Sequence, residues 1–192
     1  MGRIDKLEKY GRFAIPYIVL RDRNNIPHFK VNDERKVEEC IEKDRCSVCG
    51  EKLGNDKWLI GGKMSAFHER GAYIDIPVHK ECGVYSLKVC PYMAYTQYTA
   101  KGISDGEKAV LLEDEKLVLM NPTMDENRLQ YFVFVKIKSY SIIRKFANRF
   151  IHPERPYLAI EYWRDGKQLT ISQVNKLDPE LKLLTENQKY VF

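Results

Sequence analysis

The chain lacks any long apolar run: nowhere in its 192 residues does a stretch approach 18 consecutive apolar residues. A membrane-spanning helix needs about 20 such residues, so we expect no transmembrane segment. The first six residues, Met1 to Lys6, lack the apolar core of a secretory signal peptide, and Lys6 stands where a myristoylation signal has Ser or Thr. Internal repeats and low-complexity tracts are also missing. These absences predict a globular protein of the cytoplasm.

Cysteine and histidine are scarce, with five and four residues, but their spacing is informative. Cys46 and Cys49 are separated by two residues, and so are His79 and Cys82. Two such pairs of soft ligands are typical of a tetrahedral Zn²⁺ site, and without a secretion signal they indicate a reducing compartment rather than disulfides. The sequence therefore predicts one zinc ion bound by Cys46, Cys49, His79 and Cys82. Because four protein ligands leave no position for water, we expect a structural site.

The residues around these ligands predict the local fold. Gly50 supplies the turn after the first pair. Lys57–Ile60 and Ala72–Ile76, separated by glycines, suggest a β-hairpin with a wide loop. Residues 81–90 suit a helix that carries His79 and Cys82 at its first turn and ends before Pro91. A ligand loop, a hairpin and a helix with the last two ligands at its start are the layout of a treble-clef zinc site.

The other cysteines and His68 leave alternatives open. Cys40 and Cys90 are interpreted as buried core thiols, with a substitute ligand or a redox pair as the alternative. His68 is interpreted as a histidine in the hairpin loop. The alternative is the general base of an HNH-type nuclease, which would need further metal ligands and an Asn that cannot be placed. Since no catalytic motif is evident, we expect a protein that is not an enzyme.

Before the ligands, residues 13–20 and 26–31 predict a strand hairpin, with Pro16 near its start or on an edge. The helix Glu34–Lys43 follows, capped by Asn32 or Asp33, with Val37 and Ile41 on its buried face. After the ligands, residues 109–112 and 116–120 suit two short strands or one helix.

The last third of the chain has the clearest strand, residues 129–138, whose later half alternates apolar and basic and so predicts one solvated face. Residues 157–163 form another strand before a turn with Asp165-Gly166 at its centre. Thr170 or Ser172 caps a last helix that Pro179 either interrupts or restarts. We predict an α+β fold with a zinc-binding region at 1–105 and a β-rich region with a terminal helix at 106–192, sharing one continuous core.

Basic residues are concentrated between positions 136 and 155, where Glu154 is the single acidic residue. The six basic residues are Lys136, Lys138, Arg144, Lys145, Arg149 and Arg155, and the aromatic residues Tyr140, Phe146 and Phe150 lie among them. Basic residues interleaved with aromatic residues are typical of a nucleic-acid-binding surface. The alternative is a solvated face whose aromatic side chains point inward. Three tyrosines, Tyr92, Tyr95 and Tyr98, either pack over a core edge or stack on bases.

Several blocks of the chain resemble a family of small uncharacterised zinc-motif proteins from bacteriophages and bacteria. The resemblance rests on residues 46–54, 77–82 and 90–92, with flanking blocks at 16–19 and 162–167. Tyr92 stands where the family pattern has Phe. The order of the ligands also resembles half of a LIM module, from which the interval of 29 residues departs. The resemblance implies a phage-type cytoplasmic zinc protein and assigns no activity.

These observations favour a non-enzymatic zinc-stabilised protein that binds DNA or RNA, associated with a phage or mobile element. A second hypothesis is an adaptor or inhibitor that binds a host protein through the tyrosines or an exposed strand edge. A metal-dependent nuclease that uses His68 is the third.

Overall fold

The computed structural model describes residues 2–95, 129–145 and 148–186, which form a mixed α+β fold as predicted. A 3₁₀ turn, Ile4–Lys6, precedes the first strand. The helices are α1 (Glu34–Glu42), α2 (Lys63–Phe67), α3 (Lys80–Val89), α4 (Pro91–Ala94), α5 (Ile171–Leu177) and α6 (Leu181–Glu186). The strands are β1 (Lys9–Tyr10), β2 (Phe13–Ala14), β3 (Val19–Arg21), β4 (Pro27–Asn32), β5 (Lys57–Gly61), β6 (Phe132–Ile137), β7 (Tyr140–Lys145), β8 (Asn148–Pro153), β9 (Ala159–Arg164) and β10 (Lys167–Leu169). None of the helices described is long and apolar enough to cross a membrane.

The largest sheet has four antiparallel strands in the order β10-β9-β6-β5, so it joins strands from both predicted regions. Its central strand, β6, is buried on both faces. Val133 and Val135 point into one hydrophobic cluster with Leu59 and Tyr162, whereas Phe132 and Phe134 point into a second cluster that contains Cys46 and Cys82. Over Phe132–Val135 a solvated face is absent, because apolar layers cover both sides, whereas the predicted alternation holds at the end of the strand, where Lys136 is partly exposed, Ile137 is buried and Lys138 is exposed.

The predicted hairpin between Lys57–Ile60 and Ala72–Ile76 is also wrong. β5 pairs with β6 over five residues, from Lys57 opposite Ile137 to Gly61 opposite Val133. The helix α2 follows β5 directly, and Tyr73 forms an isolated bridge with Ile151 of β8. A strand buried on both faces needs hydrogen-bonding partners at both edges, and β5 supplies the second edge of β6.

The predicted first strand is interrupted around Pro16. Tyr17 and Ile18 donate backbone hydrogen bonds to the carbonyls of Val48 and Ser47, at 2.8 and 3.2 Å, so this stretch pairs with the first ligand loop. The chain resumes as β3, which forms the predicted hairpin with β4. The N-terminal part of the chain thus holds the ligand loop in position.

The helix boundaries follow the predicted capping residues. Asp33 caps α1 by accepting a hydrogen bond from the backbone of Arg35, and Thr170 forms a capping box with Gln173 at the start of α5. Asp165 and Gly166 turn the β9–β10 hairpin with positive φ, as the Asp-Gly pair predicts. The predicted strands or helix at 109–120 lie outside the described residues.

Gly83 on α3 determines how closely that helix approaches the sheet. A Cβ atom there would lie 2.4 Å from Cζ of Phe134. We predict that Gly83→Ala lowers the free energy of unfolding by about 1–2 kcal/mol, since overpacking outweighs the gain of about 1 kcal/mol in helix propensity. Urea unfolding measures the change, with Lys88→Ala on the same helix as a control that changes little. A stabilised Gly83→Ala variant would contradict the packing described.

Candidate metal centre

Cys46, Cys49, His79 and Cys82 lie together, with one potential ligand atom from each within 4.8 Å of the others. Two segments supply them: the loop that precedes β5, and the start of α3. Among the described residues this is the group of His, Cys, Asp or Glu side chains that could hold a metal ion. Cys46, His79 and Cys82 are buried, and Cys49 is partly exposed. The predicted grouping of these four residues is confirmed, and no disulfide forms between them.

The first ligand pair lies on a tight loop closed by backbone hydrogen bonds. The N–H of Cys46 donates to the carbonyl of Glu51, and the N–H of Gly50 donates to the carbonyl of Cys46, both at 2.8 Å. Gly50 has φ of +72°, and a Cβ atom there would lie 2.7 Å from the ring of Tyr17. Glycine is therefore required at this position both by the left-handed backbone and by the approach of the tyrosine.

The second pair is positioned by β5. Val78 and Trp58 exchange two backbone hydrogen bonds of 2.9 Å, which fixes the residue that precedes His79. His79 is the N-cap of α3, and Cys82 lies one turn into the helix. The sheet and the helix start together point both side chains at the ligand loop.

The ring of His79 is oriented by two neighbours. Nδ1 lies 3.2 Å from Sγ of Cys49, and Nε2 lies 3.1 Å from the carbonyl oxygen of Lys52. Since that carbonyl can only accept, Nε2 carries the proton and Nδ1 presents its lone pair toward the sulfur atoms. This is the orientation that a metal ligand requires.

The three thiols cannot all ionise in this space without a cation. Hydrogen bonds from Cys49 and Cys82 lower the pKa of Cys46 to about 3, whereas the pKa of Cys82 is raised by its hydrogen bonds to Cys46 and Cys49 and by burial. One thiolate is thus stabilised at the expense of its neighbours. A divalent cation would offset the repulsion between neighbouring thiolates, because it attracts all three sulfur atoms. The donor set therefore fits a metal site.

The 3₁₀ turn near the N-terminus lies beside the centre. Ile4 and Leu7 pack against the hydrophobic cluster that contains Cys46 and Cys82. Arg3 forms ion pairs with Glu51 at 3.1 Å and Glu81 at 3.7 Å. Burial works against the charge of Arg3, but these carboxylates and the neighbouring thiols raise its pKa overall. Arg3 therefore supplies positive charge next to a site whose ligands are anionic.

The remaining cysteines lie outside the centre. Cys40 is a buried core thiol, as predicted, and desolvation raises its pKa to about 12. Cys90, the residue at which α3 ends, is only half-buried, so the interpretation as a core thiol is wrong for this residue.

His68 does not lie in a hairpin loop, because that hairpin does not form. It ends α2, and its Nδ1 accepts a hydrogen bond from the backbone N–H of Arg70 at 3.1 Å. His68 is not part of a metal-holding group among the described residues, so the nuclease hypothesis gains no second ligand there.

Of the three tyrosines, Tyr92 packs edge-on against Phe132, Tyr95 is exposed, and Tyr98 lies outside the described residues.

The basic stretch is engaged with acidic residues of α1 through two arginines of the β7–β8 hairpin. Arg144 donates two hydrogen bonds to Glu38, at 3.0 and 2.7 Å, and Arg149 forms ion pairs with Glu34 and Glu38. Hydrogen bonds and charge from Arg144 and Arg149 lower the pKa of Glu38. These pairs join residues more than 100 positions apart, so sequence spacing carried no signal for them.

The other basic residues have different surroundings. Arg155 donates to the carbonyls of Ala66 and His68, at 3.1 and 2.5 Å, and Lys138 is exposed. Lys136 and Lys145 are partly buried. Of the interleaved aromatic residues, Phe150 is buried, Tyr140 is partly buried, and Phe146 lies outside the described residues.

Comparison of the chain with protein-family models, with curated proteins and with solved structures gives no match.

Metal content tests the ligand assignment. We predict about one divalent metal ion per purified chain, lost in Cys46→Ser and Cys82→Ser because three donors cannot complete the tetrahedral shell. Elemental analysis of the purified variants measures it. Cys40→Ser and Cys90→Ser are matched controls that should keep the metal, and loss of the ion in either would contradict the assignment.

Proposed function

We propose that the centre binds a single Zn²⁺ as a structural ion. Three sulfur donors and one imidazole nitrogen are the ligands that zinc prefers, and harder cations such as Mg²⁺ and Ca²⁺ prefer oxygen. The observation that supports a structural role is that all four donors are protein side chains and that three of them are buried. Such a site has no open position at which a substrate or a water could bind the metal. The ligand loop and the two ligands at the start of α3 are shared with the treble-clef layout, whereas β5 pairs with β6 in place of the hairpin, so we propose a centre related to that type.

The function we propose is binding of nucleic acid, with no catalytic role for the metal. The chain has a net charge of +5 and an isoelectric point of about 8.8, which favours a polyanionic partner. Arg144 of the Lys136–Arg155 stretch has 58% of its side chain exposed, and its ion pair with Glu38 is open to solvent. Exposed ion pairs contribute about 0–1 kcal/mol, so a phosphate can compete for this arginine. From the resemblance of the ligand blocks to phage and bacterial proteins, we propose the bacterial cytoplasm as the setting.

Removal of the metal tests the structural role. We predict that dialysis against a chelator lowers the thermal midpoint by more than about 10 °C, because metal binding and folding are coupled in such centres. Thermal unfolding followed by circular dichroism measures the shift. Zn²⁺ should restore the midpoint and Mg²⁺ should not, and an unchanged midpoint in metal-free protein would rule out a structural ion.

A salt series tests the nucleic-acid proposal. We predict binding of DNA or RNA that weakens steeply with salt, and a slope of log K against log[salt] that is shallower by about 2 to 3 in Arg144→Ala/Lys145→Ala/Arg149→Ala. Fluorescence anisotropy with labelled single- and double-stranded oligonucleotides measures both quantities.

The matched control is Glu34→Gln/Glu38→Gln, which removes the acidic partners of the two arginines and should tighten binding. Absence of binding at low salt would refute the proposal. If the triple variant binds nucleic acid as the wild type does, the Lys136–Arg155 stretch is not part of the interface.

A further inference from the structure

Three aromatic rings meet where the first two hairpins of the chain pack together. The ring of Phe29 on β4 lies 6.4 Å from the ring of Tyr10 on β1 and 6.4 Å from the ring of Phe13 on β2. Tyr10 and Phe13 are themselves paired across the β1–β2 ladder. Tyr10 is 53% exposed and Phe29 is 45% exposed, so the cluster faces solvent rather than the core. We call Tyr10, Phe13 and Phe29 the N-terminal aromatic surface.

The two hairpins are linked by an ion pair, which favours one arrangement of the rings. Arg21 of β3 donates to both carboxylate oxygens of Glu8, at 3.1 and 2.8 Å. Two parallel hydrogen bonds of this kind define an orientation as well as a distance, although an exposed pair contributes only about 0–1 kcal/mol. The aromatic surface is therefore a platform with one favoured arrangement of its rings.

The sequence around this platform is basic. Residues 9–32 contain five basic side chains and one acidic side chain, and Arg21 among them is paired with Glu8. The carboxylate of Asp22 is occupied by the backbone N–H groups of Asn24 and Ile26. The guanidinium of Arg12 lies 5.0 Å from the centre of the Phe13 ring, whereas the exposed Lys9 and Lys30 leave their strands on the face opposite to Tyr10 and Phe29. Arg12 thus places a cation at the exposed rings, and this combination attracts a ligand that has both aromatic faces and negative charge.

The edge of β4 is a poor template for an added peptide strand. In the described part of the chain β4 pairs with β3 alone, and the ladder shifts register between Val19 and Leu20. β4 begins with Pro27, which has no N–H, and carries Lys30 at its middle. Proline, lysine and irregular register are the features that discourage strand addition at an edge. The chemistry therefore favours stacking on the rings over pairing with the backbone.

We infer that the N-terminal aromatic surface binds single-stranded nucleic acid, with bases stacked on Tyr10 and Phe29 and a phosphate contacted by Arg12. Unpaired bases expose faces that stack on aromatic side chains, and the phosphate between two stacked bases supplies the negative charge for the arginine. This inference rests on the proposed nucleic-acid function, but it assigns the contact to a surface distinct from the Lys136–Arg155 stretch and selects single strands over duplexes.

Binding of a labelled oligothymidylate and an oligouridylate of about twelve nucleotides tests the inference, with a duplex of equal length as competitor. We expect Tyr10→Ala/Phe29→Ala to weaken binding about tenfold or more with the salt slope unchanged, because stacking is not ionic. Arg12→Gln should make the slope shallower by about 0.7, the value for one phosphate contact on a single strand. This charge variant leaves the rings in place, so it remains informative if the double alanine variant loses its metal or unfolds.

Leu158→Ala is the matched control, since Leu158 is 58% exposed and lies outside the platform. Equal weakening by Leu158→Ala, or tighter binding of the duplex, would overturn the inference. Binding that responds to Arg144→Ala/Lys145→Ala/Arg149→Ala but not to the platform variants would overturn it and leave the proposed function intact. Absence of nucleic-acid binding, or preferential binding of polyglutamate, would overturn both.

Discussion

Three cysteine sulfur atoms and one imidazole nitrogen occupy a space 4.8 Å across, and most of their surroundings are apolar. Thiolates at that separation repel one another, and burial makes each unpaired charge more costly. A cation bound between them turns the repulsion into the force that joins the ligand loop to α3. The loop bends at Gly50 beneath the ring of Tyr17, and His79 is turned by the carbonyl of Lys52, because each donor must reach the same point.

The centre is continuous with the rest of the core. Cys46 and Cys82 belong to the same cluster as Trp58 and Phe134, so the metal ligands and the sheet share one apolar layer. α3 is held at its start by two ligands and along its length by the close contact between Gly83 and Phe134. β6 joins this apolar layer to the one on the opposite side of the sheet, because its alternate side chains, Val133 and Val135, belong to the other cluster. In the function proposed above, a centre enclosed in this way acts through the architecture it stabilises, and recognition is assigned to the outer hairpins.

Local chemistry made parts of this structure predictable. The paired ligand spacing identifies the four donors, and Asp33, Thr170 and Asp165-Gly166 mark helix starts and a turn. These features were predictable because ligand spacing, capping and turn geometry each depend on only a few neighbouring residues.

Strand partners were not predictable in the same way. Lys57–Gly61 suits a neighbouring hairpin equally well on pattern alone, and its actual partner is decided by the burial of β6. The ion pairs of Arg144 and Arg149 with α1 are likewise long-range. The basic excess of four in residues 9–32 is visible in the sequence, but it falls to two when residues 1–45 are counted together, since acidic residues flank it on both sides.

The position of β6 in the chain has a consequence for synthesis on the ribosome. The last metal ligand, Cys82, precedes the first residue of β6, Phe132, by 50 positions, so every donor has been translated well before the central strand exists. At a rate of about 5–20 residues per second, several seconds separate the two events. Until β6 emerges, β5 has an unpaired edge and the face of α3 around Gly83 has no sheet to cover it. Metal capture at this stage would limit the conformations of the nascent chain while the edge of β5 is exposed.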